Sequence, residues 1–576
     1  MIEWMIDNNS DLTGQTAIID HLESLAKNPV NINSANAEDF LKIPGITIIQ
    51  ARKIIQFREI NGRFHNISGL MEAAEISVEW FILIEKYITI SEKLIYPEII
   101  IRQRNQRNIE RSRGYNNGNY SGSPLRSYSR IKILIPKTFS AGFLVEKDPG
   151  ESSFIDHTVG YVDLFSEDRK FYLLLGNYSL DFAQGLTASK QNYLKKSRET
   201  VRTIFRNEHG VYPYLSSNEF GEFTGLYGNI KLENVSLSLF ASKSRRDASI
   251  NHYGQISNIL DSGYHRTENE IDNKNNLEEN VSGLRIKYST NRDFILGVTC
   301  LSMKYDPSIY ADNEKTGLNE FSGNNLKLIG TDLVCSFNNS QLFCEFAGSI
   351  PGSFGLVTGI VWELTKLRSG LIYRNYGSDF YSPYGSSFSD NTSEIRNERG
   401  LYFGGRYNIS KSIKVDFYLD VFEKPLRTSS VPVKQSLYDY LFHLSWSRGK
   451  NSCSVDWNRK NKFGKSSYLI QNKIIQTNYE ERFYNRLRFE FQRQLDTGLL
   501  FYSRFELRSQ QYNSEIKGFS INLFKDPGYV FTSRIKLDYS SEERIIMQSS
   551  YFSANSNLIY QYEQDMPGTL NVKVFS

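Results

Sequence analysis

The sequence predicts a small all-α domain followed by a large antiparallel β-barrel that crosses a membrane. Three observations lead there. After about residue 96, apolar and polar side chains alternate with period two through most of the chain, which is the pattern of strands. The segments run to about ten residues or more, where soluble strands usually hold about five or six. Roughly two dozen of them follow one another, which suits a barrel and exceeds the ten or so strands an open sheet usually carries.

Composition agrees with this reading. Only 40% of the 576 residues are hydrophobic and the mean hydropathy is −0.44. No uncharged apolar run reaches the ~18 residues of a membrane helix. A barrel needs apolar residues only at alternate positions, so that hydropathy is compatible with it. Lysine and arginine (68) nearly balance aspartate and glutamate (64), for a net charge of +4, which gives no basic excess demanding a nucleic-acid partner. Cys335 and Cys344 fall in step with outward apolar neighbours, Cys300 and Cys453 sit inside strands, and no pair has metal-ligand spacing. Met1-Ile2-Glu3-Trp4 is not a signal peptide. A barrel bound for the outer membrane needs export, so either the start lies upstream or the barrel reading is wrong; the expectation is a chain truncated at both ends, its last strand beginning at Val572–Phe575.

Residues 1–27 read as a helical lead-in, with a helix over Ala17–Lys27 that stops before Pro29. Residues 28–92 form the compact domain. Asn36 N-caps a short helix with Asp39 three residues on, and Phe40, Leu41 and Ile43 make its apolar stripe. Ile43-Pro44-Gly45-Ile46-Thr47 is a tight hairpin. The next helix turns Ile48, Ala51, Ile54 and Ile55 inward and ends near Asn61-Gly62; a third helix, a second hairpin at Ala73–Ser77 and the segment Val78–Lys86 follow.

This stretch resembles the tandem helix-hairpin-helix module of ComEA-type competence DNA receptors. The resemblance rests on Val30-Asn31-Ile32-Asn33-Ser34-Ala35, Ile43-Pro44-Gly45-Ile46, Ala51–Ile55 and Asn61-Gly62-Arg63-Phe64. The remainder is similar to outer-membrane barrels that carry such a module, through Gly176–Leu186, Gly263–Arg266 with Glu270, and Asn397–Gly404. The resemblance implies DNA contact at the first hairpin through Gly45, Ile46, Thr47, Arg52 and Lys53. Glycines there let backbone N–H groups approach a phosphate, aided by nearby cations such as Arg58 and Arg63. Thr47 replaces the motif's second glycine. The second hairpin has lost its proline and glycines and sits among Glu72, Glu75, Glu79 and Glu85, which repel a phosphodiester.

Residues 96–576 form the barrel, with long loops near 186–224, 244–280 and 376–399. The first of these reads as a loop or an inserted plug and the third as an extracellular loop. In Arg482–Arg508, Phe483, Leu487, Phe489 and Phe491 alternate with Arg486, Arg488 and Glu490. After the turn Asp496–Gly498, Phe505 and Leu507 alternate with Arg504, Glu506 and Arg508. The apolar row should meet lipid and the charged row the lumen. One register sets Arg486 opposite Glu506 and another sets Arg488 there, with Glu490 within one diagonal step of Arg504. Glu268, Glu270 and Asp272 do not match a calcium motif and read as a solvated loop.

No Gly-x-Ser-x-Gly, P-loop or dinucleotide fingerprint occurs, so no enzyme, cofactor or metal is expected; His443 reads as a lumen residue. The expectation is a small all-α helix-hairpin-helix domain joined to an antiparallel transmembrane barrel in the outer membrane of a Gram-negative bacterium, the module lying in the periplasm. Its partners are then outer-membrane lipid, DNA at the first hairpin, or a periplasmic or outer-membrane protein. DNA uptake, a structural or export role with the module docking a protein or plugging the barrel, and a solute channel all stay open.

Overall fold

A computed structural model describes residues 25–554 and 570–571. Some stretches are excepted, the longest being 77–80, 91–96, 109–112, 190–195, 313–319, 391–394, 428–433 and 539–543. Residues 1–24 of the helical lead-in and Val572–Phe575 lie outside the described residues.

The module builds its own core from Ile32, Phe40, Ile43, Ala51, Ile54, Leu70, Ile84 and Tyr87. Asn36 and Asp39 exchange side chain and backbone hydrogen bonds at 3.0 and 3.1 Å, a reciprocal cap. The helix Ile48–Asn61 ends where Gly62 takes φ +84°, a left-handed conformation that favours glycine. Two short strands, Val30–Asn31 and Ile88–Thr89, pair in parallel and tie the ends of the module together. Asn33 clasps the middle by accepting from the Phe64 N–H at 2.8 Å and donating to the Phe64 carbonyl at 3.0 Å.

From Glu98 onward the described residues hold twenty-five strand segments, twenty-one of them nine residues or longer. Neighbours pair antiparallel in an unbroken meander from Glu98–Arg107 to Arg544–Ala554. The order of the sheet sets Leu570–Asn571 between these two outermost strands. Connections differ at the two ends. At one end every turn spans two to five residues; every connection longer than five lies at the other. Glu98–Arg107 starts at the short-turn end, so the chain enters the barrel there.

Side chains alternate across the wall as the period-two pattern requires. Ile99, Ile101, Leu237, Leu239, Val298, Leu419, Phe489 and Phe505 are exposed outward, while Arg374, Asp416, Asp420, Asp456 and Glu506 are buried inward. The inward face is not charged throughout, however. Leu301, Met303, Leu328, Phe343, Val357 and Ile372 also point inward and are buried. They stay dry because chain folds back onto them.

Candidate functional site

The chain that folds back is the described part of residues 182–222, between Phe171–Asp181 and Phe223–Leu232, and it packs inside the lumen. Its apolar residues Phe182, Leu186, Ala188, Val201 and Ile204 join the inward apolar residues of the wall in one cluster. Its charges meet opposite charges on the wall, the condition under which burial of ions is tolerable. Lys196 Nζ lies 2.7 Å from Asp420 and 3.8 Å from Asp439. Arg198 reaches Asp456 and Glu490, each at 2.5 Å. Glu199 meets Arg406 at 2.9 Å. Glu208 accepts from Arg285 at 2.7 Å and Lys287 at 2.9 Å. Arg206 pairs with buried Asp181. The partners lie on strands far apart around the wall, so the segment is braced across the bore.

The turn Gln184–Thr187 wraps the carboxylate of Glu345. Backbone N–H groups of Gln184, Leu186 and Thr187 donate to it at 2.8, 3.1 and 3.2 Å, a small anion nest. Gly185 has φ +87°, and a Cβ there would collide with the Arg206 guanidinium and the Ser386 carbonyl. Ser386 belongs to the long loop 377–397, which also folds inward: Phe380 and Tyr384 are buried, and the Tyr384 hydroxyl donates to Glu279. The aromatic residues of this loop thus seek the apolar half of the lumen.

The predicted charge pairs come together on neighbouring strands. Arg488 stands opposite Glu506 and donates to it at 2.6 Å, while Arg486 stands opposite Arg508 and has Asp456 at 3.8 Å. Glu490 faces Arg504, which donates at 3.0 Å. Sequence reasoning missed Arg198 of the plug as a second partner of Glu490. It also missed Arg374, wholly buried between Glu398 at 2.5 Å and Asp420 at 2.8 Å. The only sequence signal for Arg374 is an arginine at an inward position of Leu367–Tyr376. His443 is buried with Asp456 at 3.2 Å.

At the first hairpin, Gly45 and Thr47 lie outside the described residues. The Ile46 side chain is buried and its N–H donates to the Ile43 carbonyl at 3.2 Å. Arg52 and Lys53 sit half-buried on the following helix. Arg58, counted among the cations near the hairpin, instead donates to the carbonyls of Ile32 and Ala35, both at 3.0 Å. It braces the module.

A second charged cluster ties the long-loop end. Glu151, Asp156 and His265 bring ligand-type atoms within 4.8 Å of one another, but those atoms are already engaged. His265 bonds Asp156 through Nδ1 and Asp247 through Nε2, the latter at 2.8 Å. Lys274 donates to Asp156 at 2.7 Å, and the His265 backbone N–H donates to Glu151 at 3.1 Å. Burial pushes the imidazole pKa down, yet the two carboxylates outweigh it and hold it at about 10. The result is a latch of imidazolium and ammonium between acids. Glu270, read as part of a solvated loop, instead caps the helix Glu268–Asp272 with Thr267 and pairs with Arg266 at 2.8 Å.

Residues 26–89 match the family model of the helix-hairpin-helix motif. No curated protein sequence matches the chain. Among solved structures, it is similar to OccK5 (OpdH) of Pseudomonas aeruginosa at 11% identity, covering 80% of this chain and 91% of that one, with a TM-score of 0.26. It is similar to the FrpB iron transporter of Neisseria meningitidis at 10%, covering 72% of each, with a TM-score of 0.34. It is also similar to Wzi of Escherichia coli, an outer-membrane protein involved in group 1 capsule assembly, at 9%, covering 79% and 94%, with a TM-score of 0.32. Likeness of that size carries no inference about function. The chain thus carries an N-terminal helix-hairpin-helix motif ahead of a large antiparallel barrel with a filled lumen.

Proposed function

We propose that this chain spans the outer membrane of a Gram-negative bacterium as a plugged, non-enzymatic conduit whose helix-hairpin-helix module docks a periplasmic protein that governs the plug. The observation that carries the reading is the matching of charges across the lumen, Lys196 and Arg198 to Asp420, Asp456 and Glu490, beneath an outward face of exposed aliphatic and aromatic residues. Buried charge inside and apolar surface outside suit lipid. Short turns mark the periplasmic end of bacterial barrels, and the module precedes a strand that starts at that end. Cysteine labelling in cells tests this, with the native cysteines replaced by serine. Ser257→Cys, in a long-loop connection, should react with a membrane-impermeant maleimide in intact cells. Asn339→Cys, in a short turn, should react only after the outer membrane is opened. The reverse pattern overturns the orientation, and recovery of the chain in the soluble fraction overturns the membrane reading.

DNA is the second candidate for the module, favoured by the motif match over residues 26–89 and by Arg52 and Lys53 beyond the hairpin. The engagement of Arg58 by backbone carbonyls weighs against it. Binding of the full chain to labelled duplex DNA across a salt series separates the readings. A phosphate contact weakens steeply with salt and is lost in Gly45→Val, whereas affinity no better than millimolar at physiological salt ends the DNA reading.

A further inference from the structure

The outside of the barrel is indented at its long-loop end. Across the adjacent strands Val235–Arg246, Leu277–Thr290, Phe294–Ile309 and Gly323–Phe337, Ala241 stands beside Ser282, Ser282 beside Ser302, and Ser302 beside Lys327. One step nearer the long loops, Lys243 stands beside Asn280 and Asn280 beside Lys304. The first row starts with three short side chains where the rows nearer the short turns carry Leu239, Ile286 and Val298. A groove results, bounded by Lys243 and Lys304 on the side nearer the long loops and, at the end of the first row beyond Ala241, by Leu226 and Leu175.

The groove joins two chemistries. At Leu226 and Leu175 it runs into the exposed apolar surface of the barrel. Its edge is cationic, since Lys243, Arg245 and Lys304 on the side nearer the long loops and Lys327 at the far end of the first row are opposed on that face by Glu278 and Asp306. Glu278 holds Lys243 at 2.8 Å; Lys304 and Lys327 form no ion pair among the described residues. With strands 4.7–4.9 Å apart, Lys243 and Lys304 lie about 10 Å apart at the backbone, close enough for their long side chains to meet one anionic group. Asn280, Ser282 and Ser302 add hydrogen-bond donors between them. A soluble protein gains nothing from cations directly over apolar surface, whereas a lipid presents phosphate directly above acyl chains.

We propose that this groove binds the phosphate-bearing headgroup of an anionic lipid in the leaflet at the long-loop end, with acyl chains lying over Leu226 and Leu175. The inference rests on the membrane reading above. It is tested on the full chain in detergent by native mass spectrometry with bisphosphorylated lipid A and its dephosphorylated form as probes. The wild type should retain the bisphosphorylated lipid at least tenfold better than the dephosphorylated one. Lys304→Gln with Lys327→Gln, which leaves the Lys243–Glu278 pair intact, should remove most of that preference. Lys231→Gln, exposed at the short-turn end, should leave it unchanged. Equal retention of the two lipids, or full preference in the double variant, overturns the site. Insertion into phosphatidylcholine vesicles, scored by protease protection, is measured alongside. Failure to insert overturns the membrane reading itself, whereas insertion without lipid preference overturns only the groove.

Discussion

Glu506 holds two arginines in a crowded interior: Arg488 donates to one of its oxygens and Arg508 to the other. Glu506→Ala takes from buried Arg488 its closest partner, leaving the longer approaches to Glu490 at 3.8 Å and Asp456 at 3.9 Å, and should cost up to about 3 kcal/mol, the low end of the penalty for breaking a buried ion pair. Urea unfolding in micelles reads this directly, and a near-neutral result would mean that the charged face meets water. On the opposite face Phe505 is 37% exposed, and Phe505→Arg should oppose insertion by about 2–4 kcal/mol if the residue sits near the bilayer midplane. Such residues were legible in the sequence because alternation alone decides inward or outward. The partners across the lumen were not, since Arg198 and Glu490 are 292 residues apart and no local pattern joins them. His265 adds a pH prediction outside the membrane. Its pKa is raised to about 10 in the folded state, so its contribution to the latch is full below the ordinary histidine pKa of about 6.5 and is lost as pH rises through about 10. Asp156 and Asp247 are shifted the other way, burial raising them but the hydrogen bonds they accept and the charges of His265 and Lys274 together outweighing it, so their contribution fades as pH falls through the lowered acid range. Limited proteolysis of the segment 251–263 should therefore show protection at pH 7 that is lost near pH 10–11. His265→Phe should be cleaved at pH 7 as well.

The module illustrates what is legible at the scale of elements. The cap at Asn36, the inward stripe Ala51–Ile54 and the stop at Gly62 follow from local rules of capping and periodicity, and the structure has all three. The role of Arg58 does not follow from such rules. On a helix beside a hairpin it looks like a phosphate ligand, yet the turn Ile32–Ala35 presents two carbonyls that need donors, and the guanidinium supplies them. Arg58→Ala should loosen the contact between that turn and the helix by about 1–3 kcal/mol. Faster hydrogen exchange across Ile48–Asn61, with unchanged exchange in the barrel strands, is the expected signature. Unchanged exchange in the module would mean that water replaces the guanidinium without cost. The plug stood halfway between these cases. Its charge marked residues 186–224 as unusual, but whether they lay outside the barrel or inside depended on acids contributed by strands more than two hundred residues later.

At the scale of the molecule, the wall and the plug explain each other. A barrel of this many strands encloses more space than its own inward side chains fill. Apolar residues such as Phe343 and Ile372 and charges such as Asp420 and Asp456 could not all face that space at once without cost. The inward-folded segment divides it: Leu186, Val201 and Ile204 cover the apolar arc, while Lys196 and Arg198 neutralise the acidic one. The two halves of the tether are therefore separable. Lys196→Ala with Arg198→Ala leaves Asp420 still paired to Arg374 but withdraws a cation from Asp456 and Glu490, while the apolar contacts remain. In planar bilayers the wild type should be nearly silent. The double variant should flicker as the acidic arc lets go, and replacing residues 183–208 by a short glycine-serine linker should give steady conductance. If the wild type already conducts as well as the linker variant, the segment does not seal the bore. If the double variant stays silent while the linker variant conducts, the apolar arc alone holds the plug and the ion pairs only fix its register.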